Sequence, residues 1–207
     1  MDKFGIILAA GNGKRLGMTL PKCLARIDNR FMFEYSLYTF TLVPVFKKII
    51  LVVPPKFVKK LKFTDQKIKV IAGGKTRNES FENAVKAIGP HRPSDKIIIH
   101  DAARIFLTKY DLLKLVNSKE DFGTLCYIGP KNSVDHHIDH YNIQTPQFCR
   151  FSVYDAITTK NKSGKDLFSY LKLKPKPRNF YLCSNAERNF KITYKSDLAK
   201  AKKCLKS

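Results

Sequence analysis

Apolar runs separated by amphipathic or polar segments recur along the chain. The first run, residues 4–10, is uninterrupted and much shorter than the roughly 18 residues of a membrane-spanning helix, so it predicts a strand buried on both faces. Similar runs predict further strands, and the segments between them predict helices. The other predicted strands are 48–53, 67–71, 96–99, 124–128 and 179–182, and the predicted helices are 31–40, 57–61, 83–88, 110–116, 152–158 and 196–205.

This alternation predicts an α/β fold with a mostly parallel central sheet and helices on both faces. The 207 residues suit a single domain, 1–207, because no long linker interrupts the pattern. Residues 129–144 are polar and hold three histidines, so they predict a loop or a short hairpin arm.

Polar or glycine-rich segments directly follow three of the predicted strands, at Gly11, Gly73 and Asp101. Open parallel sheets bind ligands at the carboxyl ends of their strands, so one nucleotide pocket would collect all three segments. The first segment also holds Arg15 and Lys22. Glycine loops with nearby cations present backbone N–H groups and positive charge to phosphate.

The first glycine loop does not match two common nucleotide-binding motifs. A dinucleotide fingerprint, G-x-G-x-x-G, needs a third glycine where Leu16 stands and an acidic residue where Pro54 and Pro55 stand. A P-loop, G-x-x-x-x-G-K-[ST], fits no part of residues 11–22. The loop therefore indicates a phosphate site of another kind.

The chain is strongly basic, with 39 Lys and Arg against 17 Asp and Glu and a net charge of +22. Such an excess is typical of nucleic-acid binding, but the lysines are scattered and lack an RNA-binding aromatic signature, which favours an anionic small substrate. The five cysteines are widely spaced without a C-x-x-C pair, as expected of free thiols in a reducing compartment. Without a spanning run or a signal-peptide pattern, we expect a cytoplasmic protein that does not bind membranes.

Several motifs occur in a recognisable order. The opening loop reads A-A-G-x-G-x-R-x-G and then P-K, and it is followed by GGKTRNES (73–80), HDAAR (100–104), QTPQF (144–148) and NFKIT (189–193). In this order and spacing the chain resembles the 2-C-methyl-D-erythritol 4-phosphate cytidylyltransferase family over nearly its whole length. The resemblance implies a Rossmann-like nucleotidyltransferase fold, a homodimer, and Mg²⁺ as the cofactor. It also implies transfer of CMP from CTP to 2-C-methyl-D-erythritol 4-phosphate with release of pyrophosphate, in non-mevalonate isoprenoid biosynthesis.

A transfer of this kind needs charge stabilisation more than a general base. The second pKa of a phosphate monoester is about 6, so the attacking phosphate is already largely dianionic near neutral pH. Negative charge that builds up around the α-phosphorus calls for cations and backbone donors placed beforehand, with Mg²⁺ bridging phosphates. The catalytic residues that the resemblance implies are Arg15, Lys22 and Lys191.

The resemblance divides the remaining site residues between the two substrates. The implied nucleotide-binding residues are Ala9, Ala10, Gly11, Asn12, Gly13, Gly73, Gly74, Arg77, Ser80, Asp101 and Ala102. The residues implied to bind the alditol phosphate are Asp101, Thr145, His136 and Lys191, and Asp101 is also the implied metal ligand.

The chain departs from the family pattern mainly on the alditol side. The arm at 129–144 is short and has no Arg, so His136 or His137 is the nearest stand-in for an arginine that reaches the substrate phosphate. The usual T-D-D element is reduced to Gly164-Lys165-Asp166. Cys23 replaces a usual Gln, and we interpret it as a packed or semi-exposed thiol because this transfer needs no covalent intermediate.

Two alternative functions stay open at this point. One is a cytidylyltransferase for another polyol phosphate, such as ribitol 5-phosphate. The other is a non-catalytic relative whose basic surface binds RNA. The cations at the motif positions, Arg15, Lys22 and Lys191, argue against a non-catalytic relative.

Overall fold

A central sheet covered by helices forms the core of the chain in a computed structural model, which describes residues 1–18, 21–129, 136–138, 141–160, 180–184 and 188–206. The strands are β1 (Lys3–Leu8), β2 (Arg26–Ile27), β3 (Arg30–Phe31), β4 (Phe46–Val53), β5 (Ile68–Ala72), β6 (Lys96–Asp101), β7 (Phe122–Ile128), β8 (His136–Ile138), β9 (Tyr141–Arg150) and β10 (Phe180–Leu182). The α-helices are α1 (Met32–Thr41), α2 (Arg77–Ile88), α3 (Lys109–Asn117), α4 (Phe151–Lys160) and α5 (Lys195–Lys206), with 3₁₀ segments at Lys14–Leu16, Lys22–Leu24 and Pro55–Lys60.

The sheet runs in the order β10-β7-β9-β6-β1-β4-β5, with β8 paired to β9. β1 pairs in parallel with β4 and β6, β4 pairs in parallel with β5, and β7 pairs in parallel with β10. β9 is antiparallel to the three strands it pairs with, β6, β7 and β8. These pairings confirm the predicted α/β class and the mostly parallel sheet.

The core lies on both faces of the sheet. Helices α2 and α4 cover one face through Phe81 and Phe151, and helices α1 and α3 cover the other through Phe40 and Leu112. Strands β1, β4 and β6 read as continuous apolar runs because they are buried on both sides. No helix among the described residues is long and apolar enough to cross a membrane.

Strand β9 is the main difference from the sequence-based prediction, which gave residues 129–144 as a loop or short hairpin arm and assigned no strand to residues 145–150. Ile143 and Phe148 join the core, but Gln144, Thr145 and Gln147 are buried as well. Polar residues in a row predict a loop, because they are seldom buried without partners. Here Thr145 and Gln144 find partners on other segments, so the strand can enter the sheet between β6 and β7.

Helix α2 begins at Arg77, well before the predicted start at residue 83. The Thr76 side chain accepts a hydrogen bond from the Glu79 N–H group at 3.0 Å, and the Glu79 carboxylate accepts one from the Lys75 N–H group at 2.7 Å. These bonds cap the helix, and the apolar pattern used for the prediction starts only one turn later. The early start brings Arg77 and Ser80 to the sheet edge.

The predicted arm corresponds in part to β8, whose residue His136 pairs with Ile143 of β9 through the backbone. Residues 130–135 and 139–140 lie outside the described residues, as do the His136 and His137 side chains. The assignment of Gly164-Lys165-Asp166 also falls outside them. The single-domain boundaries and the role of the arm histidines stay predictions.

Candidate active site

A cleft of about 850 Å³ opens at the carboxyl ends of β1, β5 and β6. The residues that follow each of these strands form one wall of the cleft, as expected for ligand sites in open parallel sheets. Predicted residues that line it are Ala9, Ala10, Gly11, Asn12, Gly13, Arg15, Lys22, Gly73, Gly74, Arg77, Ser80, Asp101, Ala102 and Lys191. The structure therefore brings together the predicted nucleotide-binding residues and the three predicted catalytic cations.

The loop after β1 closes on itself through Gly13. This residue has φ of +66°, and a Cβ there would lie 2.9 Å from Cβ of Lys22. Only glycine accepts both the left-handed conformation and this close approach without strain. The Leu16 N–H group donates to the Gly13 carbonyl at 2.8 Å and begins the turn that carries Arg15. The loop thus sets Arg15 and Lys22 on one wall of the cleft.

The pKa of Lys22 is lowered to about 8, mainly because the amine is partly removed from water. Repulsion from Lys191 and Arg15 lowers it further, and Asp101 opposes the shift. A cluster of cations with a depressed ammonium pKa marks a region of positive potential. Such a region attracts phosphate groups, whose binding would restore the charge on Lys22.

Asp101 is the anionic centre of the cleft. Its Oδ2 atom lies 2.7 Å from Nζ of Lys191, and its Oδ1 atom lies 3.2 Å from Nη2 of Arg77. Burial alone would raise the pKa of Asp101, but Lys191 and Arg77 hold it well below its usual range. The carboxylate is therefore ionised and shared between two cations from distant segments.

Thr145 lies behind Asp101 rather than in the wall of the cleft. Its Oγ1 atom accepts a hydrogen bond from the Asp101 N–H group at 3.1 Å and lies 3.2 Å from Nδ1 of His100. Nε2 of His100 lies 3.1 Å from the Arg104 carbonyl, which only accepts, so Nε2 carries the proton and the Thr145 hydroxyl donates to Nδ1. Burial lowers the pKa of His100 to about 4 and keeps the ring neutral. The Thr145 hydroxyl is thus bonded to Asp101 and His100, and its predicted contact with the alditol phosphate stays a prediction.

A second buried network brings Lys191 to the cleft. Nη1 of Arg104 donates to the Asn189 carbonyl at 2.9 Å, and Nδ2 of Asn189 donates to Oε1 of Gln144 at 2.7 Å. The Ile192 N–H group donates to the Ala103 carbonyl at 2.9 Å. Although the motifs HDAAR, QTPQF and NFKIT were recognised, these supporting residues were not assigned. Their roles appear only when the motifs meet in space.

Cys23 lines the cleft but is buried, and burial raises the pKa of its thiol to about 12. A neutral thiol is a poor nucleophile and a poor metal ligand. Of the two interpretations of Cys23, the packed thiol is therefore the one supported.

A divalent cation would have to share Asp101 with the substrates. The described residues contain no group of three or more His, Cys, Asp or Glu side chains that could hold a metal. Mg²⁺ is usually held by one or two carboxylates together with substrate phosphates and water, rather than by an all-protein cage. Oδ2 of Asp101 has a second lone pair beyond its contact with Lys191, whereas Oδ1 lies 3.2 Å from both Nε and Nη2 of Arg77. The cleft therefore fits a magnesium ion that arrives with a polyphosphate.

A sequence model of the family described as 2-C-methyl-D-erythritol 4-phosphate cytidylyltransferase matches residues 4–207. The chain belongs to this family. The cytidylyltransferase class implied by the motifs is thereby confirmed. A 2-C-methyl-D-erythritol 4-phosphate cytidylyltransferase from Thermotoga neapolitana is 31% identical over 216 residues, which cover 95% of this chain and 94% of the relative.

Solved structures of two such enzymes share the fold. The 2-C-methyl-D-erythritol 4-phosphate cytidylyltransferase of Francisella tularensis is 26% identical, with a TM-score of 0.72 over 97% of this chain and 98% of that chain. The 4-diphosphocytidyl-2C-methyl-D-erythritol synthase of Anaerococcus prevotii has a TM-score of 0.78 over 100% and 99% of the two chains at 24% identity. The cytidylyltransferase fold therefore extends over the chain.

Proposed function

We propose that the protein transfers CMP from CTP to 2-C-methyl-D-erythritol 4-phosphate and releases pyrophosphate, as a step of non-mevalonate isoprenoid biosynthesis. The observation that carries this proposal is the convergence of Arg15, Lys22 and Lys191 on one glycine-lined cleft in a member of the cytidylyltransferase family. Their positive charge suits the meeting of two phosphate-bearing substrates.

In the proposed reaction an oxygen of the acceptor phosphate attacks the α-phosphorus of CTP. A new phosphorus–oxygen bond forms there, the bond from the α-phosphorus to the bridging oxygen of the β-phosphate breaks, and pyrophosphate leaves with the electron pair. Arg15 and Lys22 hold the triphosphate and offset the charge that develops around the α-phosphorus. Amide groups near Gly11 and Gly13 cradle the phosphates. No residue has to remove a proton, because the attacking phosphate is already anionic.

The other walls of the cleft bind and orient the two substrates. Gly73, Gly74 and Ser80 border the cytosine and ribose, and Lys191 faces the acceptor phosphate. Asp101 orients Lys191 through their 2.7 Å ion pair. Thr145 acts through Asp101, whose backbone it fixes, and the proposed contact of His136 with the acceptor stays a prediction.

Asp101 would hold Mg²⁺ together with phosphate oxygens of CTP. The bound ion would neutralise phosphate charge and align the triphosphate for in-line attack. A cytoplasmic homodimer that binds neither membranes nor nucleic acid completes the proposal, in line with the resemblance and the scattered lysines.

An acceptor panel tests this function. The purified protein is incubated with CTP, Mg²⁺ and either 2-C-methyl-D-erythritol 4-phosphate, ribitol 5-phosphate or no acceptor, and pyrophosphate and the CDP-alcohol are measured. We expect rapid release only with 2-C-methyl-D-erythritol 4-phosphate. Faster pyrophosphate release with ribitol 5-phosphate would identify that compound as the acceptor instead. No turnover with either acceptor, together with salt-sensitive RNA binding, would favour the non-catalytic alternative.

The activity should depend on the protonation of Lys22. Because the pKa of Lys22 is about 8, kcat/KM should fall as the pH rises through that value and the ammonium loses its charge. In Lys22→Arg this descending limb should move to higher pH, since a guanidinium stays charged. The pH profile of kcat/KM, recorded for the unaltered protein and for Lys22→Arg, tests these two expectations. An identical descending limb in the two proteins would show that another group controls it.

A further inference from the structure

Arg15 lies at the mouth of the cleft with its side chain exposed. The structure gives it no hydrogen bond or ion pair within the described ranges, but its guanidinium carbon lies 5.9 Å from the centre of the Tyr194 ring. A cation within about 6 Å of an aromatic face is attracted by the electrons of the ring. This contact uses none of the five N–H donors of the guanidinium, which therefore stay available for phosphate oxygens.

Tyr194 is itself held rigidly just before helix α5. The N–H groups of Thr193 and Tyr194 both donate to Oδ2 of Asp197 at 2.8 Å, and the Asp197 N–H group donates back to the Tyr194 carbonyl at 3.1 Å. This reciprocal arrangement is a helix cap. The ring therefore projects from a fixed backbone, although 41% of the residue is exposed.

The same segment contacts the phosphate loop at two other points. A Cβ added to Gly17, which has φ of +65°, would lie 3.0 Å from Cε of Lys195. Leu16 is buried in one cluster with Ile192 and Ala201. The turn that carries Arg15 thus packs against the start of α5, which lies four residues after the cleft residue Lys191.

We infer that Tyr194 is a positioning residue that orients Arg15 toward the triphosphate of CTP. An exposed arginine samples many rotamers, and binding must then overcome the entropy of ordering it. The Tyr194 ring restricts these rotamers before the nucleotide arrives. This inference rests on the proposed function for the identity of the nucleotide.

The test compares Tyr194→Leu and Tyr194→Phe in CTP affinity, measured by calorimetry with Mg²⁺ but without acceptor, and in kcat/KM. Loss of the ring in Tyr194→Leu should lower the CTP affinity and kcat/KM by roughly two- to five-fold each. Tyr194→Phe keeps the ring, so its CTP affinity and kcat/KM should be unchanged. In an Arg15→Ala background Tyr194→Leu should cause no further loss, because the coupled partner is gone. Should the leucine variant fail to fold, Tyr194→Gln takes its place.

Tyr110→Leu is a matched control, since Tyr110 is also exposed and lies beneath a cation, Lys114, at 4.4 Å, but outside the cleft lining. It should leave CTP affinity unchanged. An unchanged affinity in Tyr194→Leu, or an equal loss in the Arg15→Ala background, would overturn the inference. If the unaltered protein binds CTP but transfers CMP to no acceptor, the proposed function fails, while an Arg15-dependent loss of CTP affinity still supports the role of Tyr194.

Discussion

Lys22→Ala should reduce turnover at least about 100-fold, the loss typical of removing one preplaced electrostatic donor. Lys22 is partly desolvated and lies in a cluster with Arg15 and Lys191, so its charge acts on phosphate through little intervening water. The effect should fall on kcat as well as on kcat/KM, because charge builds up at the α-phosphorus mainly in the transition state. Pyrophosphate release with CTP and 2-C-methyl-D-erythritol 4-phosphate measures it.

Lys86→Ala is the matched control for this substitution, because Lys86 is an exposed lysine of helix α2 that does not line the cleft. The Lys86→Ala variant should release pyrophosphate at the rate of the unaltered protein. Thermal unfolding of both variants confirms that each is folded before rates are compared. Near-normal turnover in a folded Lys22→Ala protein would remove Lys22 from the catalytic residues.

Asp101→Asn should lower turnover by roughly 100-fold, because the amide no longer holds Lys191 by charge and small misplacements of a reacting group are costly. It should also lower the free energy of unfolding by about 1–3 kcal/mol, since Arg77 and Lys191 lose a shared anionic partner with a 10% exposed side chain. Steady-state kinetics and urea unfolding near neutral pH measure the two effects.

The pH dependence of stability separates a charge effect from a packing effect. The pKa of Asp101 is lower in the folded protein than in the unfolded chain, so its stabilisation is present above the unfolded pKa and is lost as the pH falls through the folded pKa. Asp101→Asn should lack this part of the acid-induced loss. Asp121→Asn, which removes an exposed partner of Arg150, should change stability by less than about 0.5 kcal/mol. Equal effects of the two substitutions would contradict the central role of Asp101.

The fold class could be predicted from the sequence because strands buried on both faces are continuous apolar runs. The first residue of a helix, such as Arg77 of α2, was harder to predict, because a capped first turn carries polar residues rather than an apolar pattern. Strand β9 was not predicted at its full length for a related reason: its polar residues are satisfied by partners that are distant in the sequence. Local patterns contain no information about such partners.

The candidate site, like the fold, could be predicted from the sequence only in part. The residues after β1, β5 and β6 could be assigned to one cleft, because parallel strands end at a common edge and each motif follows its strand directly. Thr145 was assigned to the substrate from its motif, but its hydroxyl lies between Asp101 and His100. A motif identifies a residue as part of a site without telling which of its neighbours occupies its hydrogen bonds.

By itself, the sequence determined the α/β class, the phosphate-binding character of the first loop and the resemblance to the cytidylyltransferase family. Only the tertiary structure decided the pairing of Asp101 with Lys191, 90 residues apart, the depressed pKa of Lys22 and the contact of Arg15 with Tyr194. Periodicity and glycine placement depend on neighbours along the chain. Ion pairs and desolvation depend on neighbours in space, which are established only when the distant segments fold onto the same sheet edge.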